Sequence, residues 1–142
     1  MEEVGIRPDD YSYNSAISAC EKASKWEEAV KLLRKITKKG VEPDAISYSS
    51  VISAFGKCAQ WEKALEFLAE MEEVGLSPNV ISYNSAISAC EKAAQWKEAV
   101  KLLRKMPEKG VEPDTYSYNA VISACEKAAK WEKALFLHLR QQ

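Results

Sequence analysis

Asn14, Asn84 and Asn119 each follow a tyrosine, and Ser49 follows Tyr48 in the same place. Short amides and hydroxyls offer distinct sets of hydrogen-bond donors and acceptors, which suits recognition of a polar edge rather than bond breaking. The same residues are common in the first turn of a helix, so the pattern also has a purely local reading. Lys22, Lys57, Lys92 and Lys127 recur on one step. They suit either anionic phosphates or the negative end of a helix dipole. Catalytic chemistry has little to build on. His138 is the single histidine, and its slot holds Leu33, Leu68 and Leu103 elsewhere. Cys20, Cys58, Cys90 and Cys125 lack CxxC spacing, and three of them share one slot, as small buried apolar residues in a reducing compartment would. No Ser/His/Asp or Cys/His constellation, phosphate loop or metal-ligand cluster is visible, so neither enzymatic activity nor a cofactor or metal is expected.

The elements that position these residues are written into a repeat. SYNSAISACEKA stands at residues 12–23 and again at 82–93. Trp26, Trp61, Trp96 and Trp131 are each thirty-five residues from the next, and Pro8, Pro43, Pro78 and Pro113 keep the same step. Glycines at 5, 40, 75 and 110 and tyrosines at 13, 48, 83 and 118 agree. A fixed period of this length marks a stacked repeat architecture. Within a unit, Tyr83, Ala86, Ile87, Cys90 and Ala93 fall on one helical face, and Trp26, Ala29, Val30, Leu33 and Ile36 make the stripe of a second helix. Ser12, Ser47, Ser82 and Ser117 are expected to cap the first helix. The repeated glycine is expected to end the second, and the proline beyond it blocks continuation. Neither stripe can be buried within one hairpin, so the hairpins must stack. The fold expected is all-α, a right-handed α-solenoid of stacked antiparallel helix pairs.

The chain is 46% apolar and 29% charged, within the range of ordinary globular domains. It contains no apolar run of some eighteen residues, so no membrane insertion is expected. Net charge is −1, where a nucleic-acid reader usually carries a basic excess. Most of the acidity belongs to one stretch, residues 45–79, where Lys57 and Lys63 oppose Glu62, Glu66, Glu70, Glu72 and Glu73.

A thirty-five-residue unit with SYN opening its first helix, EAV or KAL in its second and KGVEPD closing it resembles the pentatricopeptide repeat family. The tetratricopeptide repeat has thirty-four residues and another residue pattern. On the family's phasing, residues 10–44, 45–79 and 80–114 are whole units and 115–142 a partial fourth. Residues 1–9 match 71–79, the tail of a unit, and show no cleavable leader. The chain is therefore expected to be part of a longer array, with Met1 not necessarily a start.

The resemblance implies binding of single-stranded RNA on a face lined by first helices, one base per unit. The residue after the tyrosine and the last residue of the unit would read one base edge: Asn14 with Asp44, Ser49 with Asn79, and Asn84 with Asp114. The family's pairing implies uracil, adenine and uracil from the 5′ side. Asn119, without a closing partner, implies a pyrimidine. Tyr11, Ile46, Ile81 and Tyr116 would hold bases between units. Valine is usual there, so the isoleucines fit while the tyrosines depart from the pattern. Lys22, Lys57, Lys92 and Lys127 would reach phosphates. The family further implies organellar RNA metabolism, in a mitochondrion or plastid. The competing expectation is a protein-binding scaffold, seated among other subunits of an organellar assembly and reading no base.

The last helix breaks the pattern. Phe136 stands where Lys31, Glu66 and Lys101 stand, and Leu139 where Arg34, Ala69 and Arg104 stand. Terminal repeats normally present a polar outer face. Phe136 and Leu139 are therefore expected to contact a partner chain or a continuation of this one, unless the helix shifts its phase.

Overall fold

The computed structural model describes residues 10–141, with side chains from Tyr13 to Arg140. The expected N-cap Ser12 and the expected base contact Tyr11 thus fall outside the described side chains, and residues 1–9 outside the described structure. The described residues form eight helices and no strand: α1 (Asp10–Lys22), α2 (Trp26–Lys38), α3 (Ala45–Lys57), α4 (Trp61–Glu73), α5 (Val80–Lys92), α6 (Trp96–Glu108), α7 (Thr115–Lys127) and α8 (Trp131–Gln141).

The helices begin three residues earlier than the serines imply. Asp44, Asn79 and Asp114 are the N-caps of α3, α5 and α7, in extended backbone, and Ser47, Ser82 and Ser117 stand at the third helical position. The Asp44 carboxylate accepts from the Ser47 amide at 2.9 Å, and the Ser47 hydroxyl accepts from the Asp44 amide at 3.4 Å. This reciprocal box satisfies two orphan amides at once, whereas serine as the cap would satisfy one. A lone cap of this kind is worth about 1 kcal/mol.

Two kinds of turn end the helices. After α2 the Val41 amide reaches the Ile36 carbonyl and the Gly40 amide the Thr37 carbonyl, both at 3.1 Å, with Gly40 at φ +80°. This is a Schellman closure, and glycine suits its left-handed residue. The turns inside each pair close in the same way without glycine: Ser24, Ala59, Ala94 and Ala129 sit at φ between +56° and +61°.

The first helices stack in a row, α1 on α3, α3 on α5 and α5 on α7. Each second helix packs on its own first helix and on the next one, α2 on α1 and α3, α4 on α3 and α5, and α6 on α5 and α7. Among the described residues the α8 helix packs its backbone against α7. The core runs along the seam between the rows, through Ile17, Leu33, Phe55, Met71, Ile87 and Met106, all fully buried. At the α3–α5 crossing, a side chain on Gly56 would put its Cβ 2.7 Å from the Ser85 carbonyl oxygen, so the helices meet through backbone there.

The α8 helix keeps its phase. Ala134 and Leu137 are buried, as Ala29, Ala64 and Ala99 are in the first slot and Phe67 and Leu102 in the second. His138 is exposed although Leu33, Leu68 and Leu103 in its slot are buried, because no further first helix covers it. Trp131, Leu135 and Leu139 are more than half exposed on the uncovered side. Phe136, also about half exposed, points the other way, into a groove shared with α6.

Candidate nucleic-acid interface

The caps that start the first helices also build the polar pairs. Asp44 caps α3, which places its carboxylate beside Asn14 on the neighbouring first helix. The Asn14 amide nitrogen donates to both Asp44 oxygens at 3.3 Å, and the Ser47 hydroxyl donates to the Asn14 amide oxygen. Asn84 repeats the arrangement, donating to Asp114 at 3.1 Å and accepting from Ser117. Each asparagine is thus oriented at both ends and keeps a second amide hydrogen for another acceptor. Burial would raise the Asp44 pKa, but the Ser47 amide, the Ser47 hydroxyl and Asn14 outweigh it and hold the carboxyl below its ordinary range. The Ser117 amide does the same for Asp114 against the opposing effect of burial, with its hydroxyl and Asn84 assisting.

The middle pair is built differently. Ser49 is buried, and its hydroxyl meets the Ser82 hydroxyl at 2.9 Å; Ser82 in turn reaches the Asn79 amide oxygen at 3.0 Å. Ser49 and Asn79 are therefore linked through Ser82 rather than directly, and Asn79 is the exposed member. Asn119 is exposed on α7.

Beside these pairs, on the first turns of α3, α5 and α7, Ile46, Ile81 and Tyr116 are 63%, 59% and 54% exposed. Large apolar side chains in the first turn of a surface helix gain nothing from water, and here they recur at every described first helix from α3 on.

Lys22, Lys57, Lys92 and Lys127 are the last residues of α1, α3, α5 and α7, where the helix dipole favours a cation. They are not equivalent. Lys57 is ion-paired with Glu21, and Lys127 with Glu91, each reaching the preceding first helix. The matching partner slot for Lys92 holds Gly56 instead of a glutamate. Among the described residues Lys92 and Lys22 have no carboxylate partner. Sequence reasoning treated all four alike; the exchange of Glu for Gly at 56 was the available signal.

Among the described residues no three His, Cys, Asp or Glu side chains come together to hold a metal ion. The cysteines are free thiols; burial pushes Cys90 up to about 12. No helix among the described residues is long and apolar enough to cross a membrane.

Stacked helical hairpins with capping polar residues at each junction define a helical-repeat array. Models of the PPR repeat family match residues 8–57, 45–92 and 78–127, and a single-repeat model matches 116–140; the chain belongs to the pentatricopeptide repeat (PPR) family. It is similar to the crystal structure of the pentatricopeptide repeat protein PPR10 from maize, with 27% identity and a TM-score of 0.80 over 96% of this chain and 20% of that one. PPR10 in complex with an 18-nt psaJ RNA element matches at 27% identity and a TM-score of 0.82, over 94% of this chain and 20% of that one. The PPR domain of Arabidopsis thaliana protein-only RNase P 1, in complex with tRNA, matches at 17% identity and a TM-score of 0.84, over 99% of this chain and 74% of that domain. The chain spans about a fifth of the PPR10 chains it matches. No curated protein matches this sequence.

Proposed function

We propose that the layer of first helices binds single-stranded RNA, one base per unit, between Ile46, Ile81 and Tyr116. Asn14 with Asp44, Asn79 backed by the buried Ser49, and Asn84 with Asp114 face the base edges. One observation carries the reading: exposed apolar side chains alternate along this layer with polar pairs that keep unused donors and acceptors. The likeness to PPR10, solved with an RNA element, supports it at the level of the family. Uracil, adenine, uracil and a pyrimidine are the preferred bases, in an organellar transcript, and Tyr116 adds stacking of about 1–3 kcal/mol.

The test is fluorescence anisotropy with short single strands. A strand containing UAU binds more tightly than UUU, and Ser49→Asn moves the central preference from adenine to a pyrimidine. Equal affinity for every strand, or no binding, overturns the reading. A protein scaffold is then favoured, with Trp131, Leu135 and Leu139, all exposed on α8, as its contact surface.

A further inference from the structure

The junctions between second helices supply an internal template for an anion site. At the first junction the Arg34 guanidinium on α2 forks onto the Glu70 carboxylate on α4, one arm at 2.8 Å, and the Tyr48 hydroxyl donates to the same carboxylate at 2.7 Å. Two periods later the corresponding residues are Arg104, Tyr118 and Arg140. The guanidinium and the phenol are retained, and the carboxylate between them has become a second guanidinium.

These three residues line one groove between α6 and α8, of about 250 Å³, together with Lys133. Its apolar wall is Leu103, Leu137 and Phe136. Arg140 lies over the Phe136 ring at 5.9 Å. No Asp or Glu lines the groove, and among the described residues Arg104, Lys133 and Arg140 have no ion pair. Three like charges gathered around a partly apolar groove repel one another unless an anion comes between them, and a planar carboxylate matches the guanidinium fork. Phe136, out of pattern where every other unit has a charged residue, gives the groove its aromatic side.

We propose that the α6–α8 groove binds an acidic peptide: a glutamate or aspartate side chain seated between Arg104, Arg140 and Tyr118, with an adjacent apolar residue against Phe136. The occupant takes the place that Glu70 fills internally at the first junction. The site lies in the second-helix row, apart from the polar pairs of the first helices, and does not depend on RNA binding.

The probe is the blocked tripeptide acetyl-Leu-Glu-Leu-amide titrated into the full chain, followed by the arginine Nε–H and tyrosine ring resonances. Saturable shifts are expected at Arg104, Arg140 and Tyr118 and not at Arg34. Replacing the glutamate by glutamine, or making Arg104→Gln or Arg140→Gln, weakens binding about tenfold, as loss of one charge-assisted hydrogen bond would. Thermal melts of the two variants matching the parent exclude a folding defect; if one melts early, the glutamine tripeptide on the unaltered chain decides alone. Equal binding of the two tripeptides, or no shift at millimolar peptide, overturns the proposal. So does inorganic phosphate or an oligouridine binding these residues more tightly than the tripeptide.

Discussion

The second unit and its neighbours share a period and a backbone but solve the same packing problem in opposite ways. Units one and three place Cys20 and Cys90 in the seam and Glu21 and Glu91 beside them. The second unit has Phe55 and Gly56. Phe55 is fully buried, 5.7 Å from Trp26 and 5.0 Å from Phe67, so it fills the seam between α2 and α4 with aromatic volume. Gly56 gives the volume back on the other side, letting α5 approach until Ser85 meets the α3 backbone. The exchange also removes the carboxylate that would neutralise Lys92. A single pair of substitutions thus couples core packing to the charge on the candidate RNA face, because adjacent helical positions point to different layers.

The largest effect should come from deleting the aromatic volume. Phe55→Ala is expected to cost about 3–5 kcal/mol in urea melts, against about 1 kcal/mol for Cys90→Ala in the matching slot. Similar losses at both sites would remove the packing difference between the units. Gly56→Ala is expected to cost about 1–3 kcal/mol by overpacking, since its Cβ meets a carbonyl rather than a flexible side chain. Glu91→Ala, in the equivalent slot, should cost about 1 kcal/mol, as a partly exposed pair with Lys127 would.

The ion pair unique to the first junction gives a pH-dependent contrast. The Arg34 hydrogen bonds hold Glu70 below its ordinary 4.5, with Tyr48 assisting against burial. Burial, and then the hydrogen bond to Glu70, pushes Tyr48 up to about 12. A depressed carboxyl contributes stability above its ordinary value, and this is lost as pH falls through the folded value. Glu70→Gln should therefore cost about 1 kcal/mol at neutral pH, and the parent and variant should converge as pH drops below that ordinary value. A difference that persists in acid would assign the loss to packing.

Lys57 and Lys92 sharpen the comparison in binding. On the RNA reading, Lys92→Ala should reduce the log–log salt slope by about 0.7, one phosphate contact, while Lys57→Ala, already paired with Glu21, changes it less. Equal changes would mean that the glutamate yields to RNA. The smallest effect is one where the units should not differ. Ala59→Gly and Ala94→Gly should each stabilise by about 0.5 kcal/mol, because relief of the left-handed strain slightly exceeds glycine's entropy cost.

The sequence by itself determined the period, the two helices per unit, the all-α stacking and the family. The first three follow from spacing and helical periodicity, and the family from the resemblance carried by the SYN, EAV or KAL and KGVEPD motifs. It also placed Asn14 and Asp44 in one pair through resemblance, although nothing in local spacing joins residues thirty apart. Only the tertiary structure decided that Asp44, Asn79 and Asp114 rather than the serines cap the helices, because a box of two reciprocal bonds outcompetes one. It decided that Ser49 reaches Asn79 through Ser82, since a serine is too short to cross the gap that an asparagine spans. It separated Phe136 from Leu139 onto two sides of α8, one toward α6 and one toward the uncovered end. And it distinguished Lys92 from Lys57, because which carboxylate a lysine meets depends on the neighbouring helix, a relation that a one-dimensional pattern does not contain.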